Sequence, residues 1–195
     1  MRYLALGDSY TIGTGASDGS RSWPSIIAAR MGVELTNPAV NGFTTLDLIR
    51  HELPYLERSR PDFVSILIGV NDLVQGRTPD QYRESLKVIY DRISALNLMP
   101  GSVAAVSIPT WSYVPAAAEF GGAKRVEKLT ALFNGVAQRE ASARNFVWVD
   151  IGPASRSGIG SEGWIASDQL HPGDVQYSVW ADTIGAAVRE GWVKP

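Results

Sequence analysis

The chain contains no cysteine and only 2 histidines. The missing cysteine removes disulfides, thiolate metal sites and cysteine nucleophiles together, and it fits a reducing compartment. Long apolar runs are also missing. The longest, Phe63 to Val70, falls far short of the ~20 residues that cross a bilayer. The opening residues, Met1-Arg2-Tyr3-Leu4-Ala5-Leu6-Gly7, lack the charged, apolar and small-residue regions of a secretory signal. A soluble, cytoplasmic protein is expected. No block of one charge stands out either: 18 Lys and Arg are interspersed with 20 Asp and Glu, for a net charge of −2. Nucleic acid or an anionic membrane would select a basic cluster, so neither partner is expected. With 45% hydrophobic residues and so small a net charge, disorder as the main state is excluded.

A length of 195 residues suits one domain, taken here as 1–195, with enough chain to bury a core without staples. Short apolar runs at Tyr3–Leu6, Val33–Leu35, Phe63–Ile68, Val103–Ile108 and Phe146–Ile151 predict strands. The third is apolar almost throughout, as a strand covered on both faces should be. Between the runs, apolar residues recur at helical spacing: Tyr82, Leu86, Ile89, Tyr90, Ile93 and Leu96; then Val126, Leu129, Leu132, Phe133 and Val136; then Tyr177, Trp180, Ala181, Ile184 and Val188. Thr78-Pro79-Asp80 predicts a helix start. The alternation implies an α/β three-layer sandwich around a mostly parallel five-stranded sheet. Ligand sites of such sheets gather at the strand C-terminal ends.

Four sequence points fall at those ends: Gly7-Asp8-Ser9, Asn37-Pro38-Ala39-Val40-Asn41-Gly42, Gly69-Val70-Asn71-Asp72, and Asp168-Gln169-Leu170-His171-Pro172. Together, in this order, they resemble the blocks of the SGNH, or GDSL-type, serine hydrolase family, over residues 7 to 172. The resemblance implies a flavodoxin-like sheet and a cofactor-free esterase or lipase. It implies a nucleophile at Ser9, an acid at Asp168 and a base at His171. For the oxyanion hole it implies the backbone N–H groups of Ser9 and Gly42 and the side-chain amide of Asn71. Tyr10 stands where the family name expects leucine, which bears on pocket shape rather than on mechanism.

The residue chemistry leads to the same pair. A serine hydroxyl is a weak nucleophile until a base takes its proton. His51 sits mid-helix among charged neighbours, in Leu46-Asp47-Leu48-Ile49-Arg50-His51-Glu52, and reads as part of a solvated face. That leaves His171, with Asp168 placed to fold back onto Nδ1 and free Nε2 for the Ser9 proton. Asp150, at the end of the fifth strand, is a rival acid. Asp8 is expected to order the Ser9 turn, Asp72 to cap the segment after it, and Asn37 to shape its own loop. Gly42 also reads as an ordinary turn glycine and Asn71 as a helix N-cap; the resemblance tips both toward catalysis. Gly13-Thr14-Gly15 reads as a flexible loop beside the nucleophile. Trp111, Tyr113 and Phe120, in the loop Pro109–Gly122, are candidate walls of an acyl pocket, with Tyr10 adding bulk.

The expected reaction is metal-independent hydrolysis of small-molecule esters (short-chain, aryl or acetylated-sugar esters) through an acyl-enzyme. Alternatives are a lysophospholipase or thioesterase for longer chains, a metal-dependent phosphoesterase using Asp8, Asn71, Asp168 and His171, and a non-catalytic binding module. One usable histidine and few carboxylates make a thin two-metal site.

Overall fold

The computed structural model describes residues 1–192, so the last three residues of the expected domain lie outside the described residues. Strand β1 (Arg2–Gly7) leads through the single-turn helix α1 (Ser9–Ile12) and a 3-10 turn (Gly19–Arg21) to α2 (Trp23–Met31) and β2 (Glu34–Thr36). Helix α3 (Thr45–Asp47) runs into a π-helical turn (Leu48–Glu52), then α4 (Tyr55–Ser59) and β3 (Phe63–Leu67). Helices α5 (Val70–Val74) and α6 (Pro79–Ser94) precede β4 (Val103–Val106). A 3-10 turn (Pro115–Phe120) and α7 (Ala123–Ser142) precede β5 (Val147–Val149), and α8 (Gly152–Arg156) and α9 (Asp174–Trp192) close the fold.

The strands lie in the order β2-β1-β3-β4-β5, and every neighbouring pair is parallel. The sheet is therefore fully rather than mostly parallel among the described residues. Helices α2, α8 and α9 pack together, as do α3, α6 and α7, so each face of the sheet is covered. That cover explains why β3 is buried at every residue. Leu4, Ala5, Leu6, Val64, Leu67 and Ala104 form the centre of the core. Helix α6 begins as its sequence predicts: Thr78 and Gln81 form a capping box, and Pro79 opens the first turn.

The strand ends differ from expectation where side chains replace the ladder. Strand β4 stops at Val106 rather than Ile108 because the Asn134 amide takes over both backbone groups of Ile108. Its Oδ1 accepts the N–H at 2.8 Å and its Nδ2 donates to the carbonyl at 2.9 Å. Strand β5 stops at Val149 because Ile151 N–H donates instead to Ser107 Oγ at 2.9 Å.

Strand order reverses direction between β1 and β3, the switch point where doubly wound sheets open a crevice. Ser9 follows β1 and Asn71 follows β3, so both stand at that crevice. The Gly13-Thr14-Gly15 segment is tied down there rather than left flexible. Tyr177 donates to Thr14 O at 2.7 Å, and Thr14 Oγ1 donates to Asn41 Oδ1. Gly15 has φ +92°, and a Cβ on it would stand 2.6 Å from Pro172 O and 3.0 Å from His171 Cβ. A larger residue there would push away the backbone that carries the histidine.

Candidate active site

Ser9 is the first residue of α1, with the carboxyl of Asp8 capping that helix by accepting Tyr10 N–H at 3.0 Å. This is the turn-ordering role the sequence suggests for Asp8. The Ser9 backbone N–H is one of the first-turn donors that a helix cannot satisfy itself. Ser9, Gly42, Asn71 and His171 line one cleft of about 240 Å³. Five residues from four separate chain segments supply its other polar edge and its apolar walls: Tyr10, Asn41, Val70, Val74 and Trp111; Phe120 and Leu170 complete it.

The Asp168–His171 segment is folded back on itself. Gln169 adopts φ +61°, a left-handed conformation uncommon for a residue with a Cβ. That bend lets Asp168 Oδ1 accept the N–H groups of Leu170 and His171, each at 2.9 Å, while Oδ2 lies 2.6 Å from His171 Nδ1. Burial pushes the Asp168 pKa up, but the bonds from the His171 ring and the two backbone N–H groups outweigh it, so the carboxyl is held below its usual range. An ionised carboxylate only accepts, so Nδ1 carries the ring proton and Nε2 keeps a free lone pair. The Tyr10 ring meets the His171 ring edge-on at 5.8 Å and is itself backed by Trp180 at 5.7 Å. Tyr10 thus packs the imidazole from behind. No hydrogen bond joins Ser9 to His171 in the unliganded chain; such bonds often tighten only with substrate bound.

Gly42 has φ +81° and open space where a Cβ would be, so its backbone is accessible from the cleft. Asn71 Nδ2 donates to Phe43 O at 2.9 Å and lies 3.5 Å from Asp8 Oδ2. The first bond fixes the amide; the second contact is long enough to release its proton to a better acceptor. Asn71 is not an N-cap: Gly69 holds that place and Asn71 lies within α5.

Several other assignments change. Asp72 does not cap the segment after it; it reaches back to α3, accepting from Thr45 N at 2.8 Å and from Thr45 Oγ1, with Arg77 Nη1 donating to it at 3.0 Å. Asn37 behaves as expected, accepting from Ala39 N and donating to Thr11 O. Asp150 makes no bond to His171: it accepts from Ser107 Oγ and Gly152 N–H, and lines another hollow, of about 460 Å³, between α7 and α8. That hollow is larger than the Ser9 cleft but holds neither Ser9 nor His171, so size does not locate the chemistry here. Trp111 and Phe120 do wall the Ser9 cleft, in edge-to-face contact at 5.5 Å. Tyr113 does not line it. Its hydroxyl accepts from Trp164 Nε1 and Gln176 Nε2, which ties the loop to α9. His51 is exposed, on the π-helical turn rather than in an α-helix, with its ring against Phe43. Among the described residues no three His, Asp or Glu side chains gather as metal ligands would, and no helix is long and apolar enough to cross a membrane.

Sequence reasoning missed Val70, Val74 and Leu170 as cleft walls and Glu52 as a buried group. Glu52 lies directly under the nucleophile turn, its Oε2 accepting Gly7 N–H at 2.8 Å. Burial raises its pKa to about 8, with the Asp8 charge adding to the effect. Burial likewise raises Asp8 to about 7, against the bond from Tyr10 N–H.

Residues 5–179 match the family model of the GDSL-like lipase/acylhydrolases. No curated protein matched the sequence. Among solved structures, TesA superposes with a TM-score of 0.77 at 19% identity, covering 97% of this chain and 99% of that one. A psychrotrophic esterase, EstA from Pseudoalteromonas sp., inhibited by monoethylphosphonate, gives 0.76 at 19% identity over 97% of each chain. A variant of an acetyl-xylooligosaccharide esterase from Geobacillus Stearmophilus gives 0.76 at 17% identity, covering 100% of this chain and 96% of that one.

The buried acids make a testable statement about stability. The folded chain holds protons on Asp8 and Glu52 that the unfolded chain, with pKa values of 3.8 and 4.5, has already released. Stability from these two is therefore complete below about pH 4 and is lost as pH rises toward about 8. The lowered carboxyls, Asp168 among them, act in the opposite sense, but their change is complete below about pH 5. Thermal unfolding should thus give a lower Tm at about pH 8.5 than at about pH 5.5; a Tm that is flat or rises across that interval would contradict the neutral buried pair.

Proposed function

The chain belongs to the GDSL-like lipase/acylhydrolase family, and from that premise we propose that it hydrolyses small acyl esters through an acyl-enzyme, without a metal. The observation that carries the reading is the His171 ring: Asp168 holds its Nδ1, and the residue lines the same cleft as Ser9. Ser9 Oγ attacks the ester carbonyl as His171 Nε2 takes its proton, and the resulting imidazolium is held by the Asp168 carboxylate. The carbonyl oxygen becomes an oxyanion facing the N–H groups of Ser9 and Gly42 and the Asn71 amide. One such donor is typically worth ~10²–10³ in kcat. His171 then protonates the departing alcohol, and later activates the water that releases the acid from Ser9.

The cleft is small. Val70, Val74, Trp111 and Phe120 give it an apolar side within a volume of about 240 Å³, with Trp111 and Phe120 edge to face. That small volume supports a short acyl group, and an acetylated sugar is one such ester. The likeness to an acetyl-xylooligosaccharide esterase agrees with it at the level of fold.

Incubation with a fluorophosphonate followed by peptide mass spectrometry should place the adduct on Ser9, and Ser9→Ala should neither label nor hydrolyse esters. Labelling of a different serine with Ser9→Ala still active would overturn the assignment. For the acyl side, each methylene adds ~0.8 kcal/mol while it fits, after which the small cleft leaves no room for it. Across p-nitrophenyl esters, kcat/KM should peak between acetate and butyrate and fall by octanoate. A value that keeps rising to decanoate would mean an open groove and a lipid ester.

A further inference from the structure

The hydrolytic scheme leaves one buried carboxyl unused. Glu52 ends the π-helical turn, is 0% exposed, and spends Oε2 on the Gly7 N–H. Its Oε1 is buried with no hydrogen-bond partner. Gly7 is the last residue of β1, so this bond grips the Leu6–Gly7 peptide at the strand end from which Asp8 and Ser9 follow. The titratable group facing Glu52 is Asp8, also 0% exposed, whose Oδ1 caps α1 and whose Oδ2 lies 3.5 Å from the Asn71 amide. Beyond Asp8, α5 presents Asp72, whose carboxylate is satisfied by Thr45 and Arg77. Helix α6 presents Tyr82, whose hydroxyl donates to Ile68 O. Arg77 is thus taken by Asp72, and among the described residues no cation pairs with Glu52 or Asp8.

We propose that Glu52 is a positioning residue for acyl transfer: as a neutral carboxylic acid it holds the Gly7 peptide, and with it the Ser9 turn and the Asn71 amide, and its ionisation shuts the site down. This rests on the serine hydrolase reading above. A neutral acid suits the place, because a buried carboxylate with one oxygen unpartnered costs far more than a carboxyl whose carbonyl oxygen accepts one N–H. The raised pKa values of Glu52 and Asp8 agree with that state. Charge also matters to the chemistry. Acyl transfer builds negative charge at the oxyanion donors, and a second anion in the low-dielectric space beneath them opposes it. Ionisation would besides drive Glu52 from Asp8, across the peptide that orients Ser9. Within the π-helical turn Glu52 shares the buried face with Leu48, while Arg50 and His51 between them are exposed.

The test is the pH dependence of kcat and KM for three forms, with Ser9→Ala beside them. Glu52→Ala, which loses the acceptor, should cut kcat at pH 7 about tenfold or more with KM nearly unchanged. Glu52→Gln keeps an acceptor oxygen and cannot ionise. It should rescue most of that loss and hold its kcat into the alkaline range where the wild-type value declines. A purely structural role would lower stability and leave the profile in place. The proposal is overturned if Glu52→Gln follows the wild-type alkaline limb, if wild type has no such limb, or if Glu52→Ala keeps wild-type kcat. Should Ser9→Ala remain active, it is the serine hydrolase reading that fails; should Ser9→Ala be dead with the Glu52→Gln profile unshifted, only the role of Glu52 fails.

Discussion

The proposed chemistry depends first on the bond between Asp168 Oδ2 and His171 Nδ1. It decides which ring nitrogen carries the proton, and so which one can act as base. The bond is short because the backbone is bent to make it. Gln169 takes a left-handed conformation, and the same carboxylate collects two backbone N–H groups. The ring is then backed by Tyr10, and its loop is packed against Gly15. The histidine's own turn and the distant Tyr10–Gly15 stretch thus hold one imidazole together.

The carboxyls around this centre sit in opposite electrostatic states. Asp168 is half-exposed and surrounded by donors, so it is held ionised. Asp8, beside Ser9 in the chain, and Glu52, beneath it in the fold, pair with no cation among the described residues, and burial holds them toward the neutral form. The same functional group therefore supplies a fixed anion behind His171 and uncharged support behind Ser9. Environments that push like groups apart are a common way for one site to hold two kinds of acid. In the proposed reaction this places the negative charge where an imidazolium would form and keeps it from where an oxyanion would form.

Much of this was legible in the sequence. The alternating runs point to the parallel five-stranded sheet, and the four motif blocks at Ser9, Gly42, Asn71 and Asp168–His171 stand after strand ends, with the family resemblance tipping Gly42 and Asn71 toward the site. What stayed hidden was what tertiary contacts decide. Asp72 reads as a cap for the segment after it, yet its partner Thr45 lies 27 residues earlier. Tyr113 reads as a pocket wall because loop aromatics often are, yet Gln176 and Trp164 take its hydroxyl. Glu52 sits beside Arg50 and His51, and a charged run reads as solvent-facing; only the fold reveals that its partner is Gly7, 45 residues away. Local pattern reports periodicity and composition, and a single residue turned inward against that pattern leaves no periodic trace.

The most direct measurement compares steady-state kinetics of Asp168→Asn and Asp150→Asn on one short-chain ester. An amide at 168 cannot serve as the anion that keeps the proton on Nδ1, so kcat should fall by ~10³–10⁴ while KM moves little. Asp150→Asn should stay near wild type, since Asp150 faces a different hollow and serves the turn into α8. Near-wild-type turnover from Asp168→Asn, or a dead Asp150→Asn, would contradict the assignment of the acid and the account built on it.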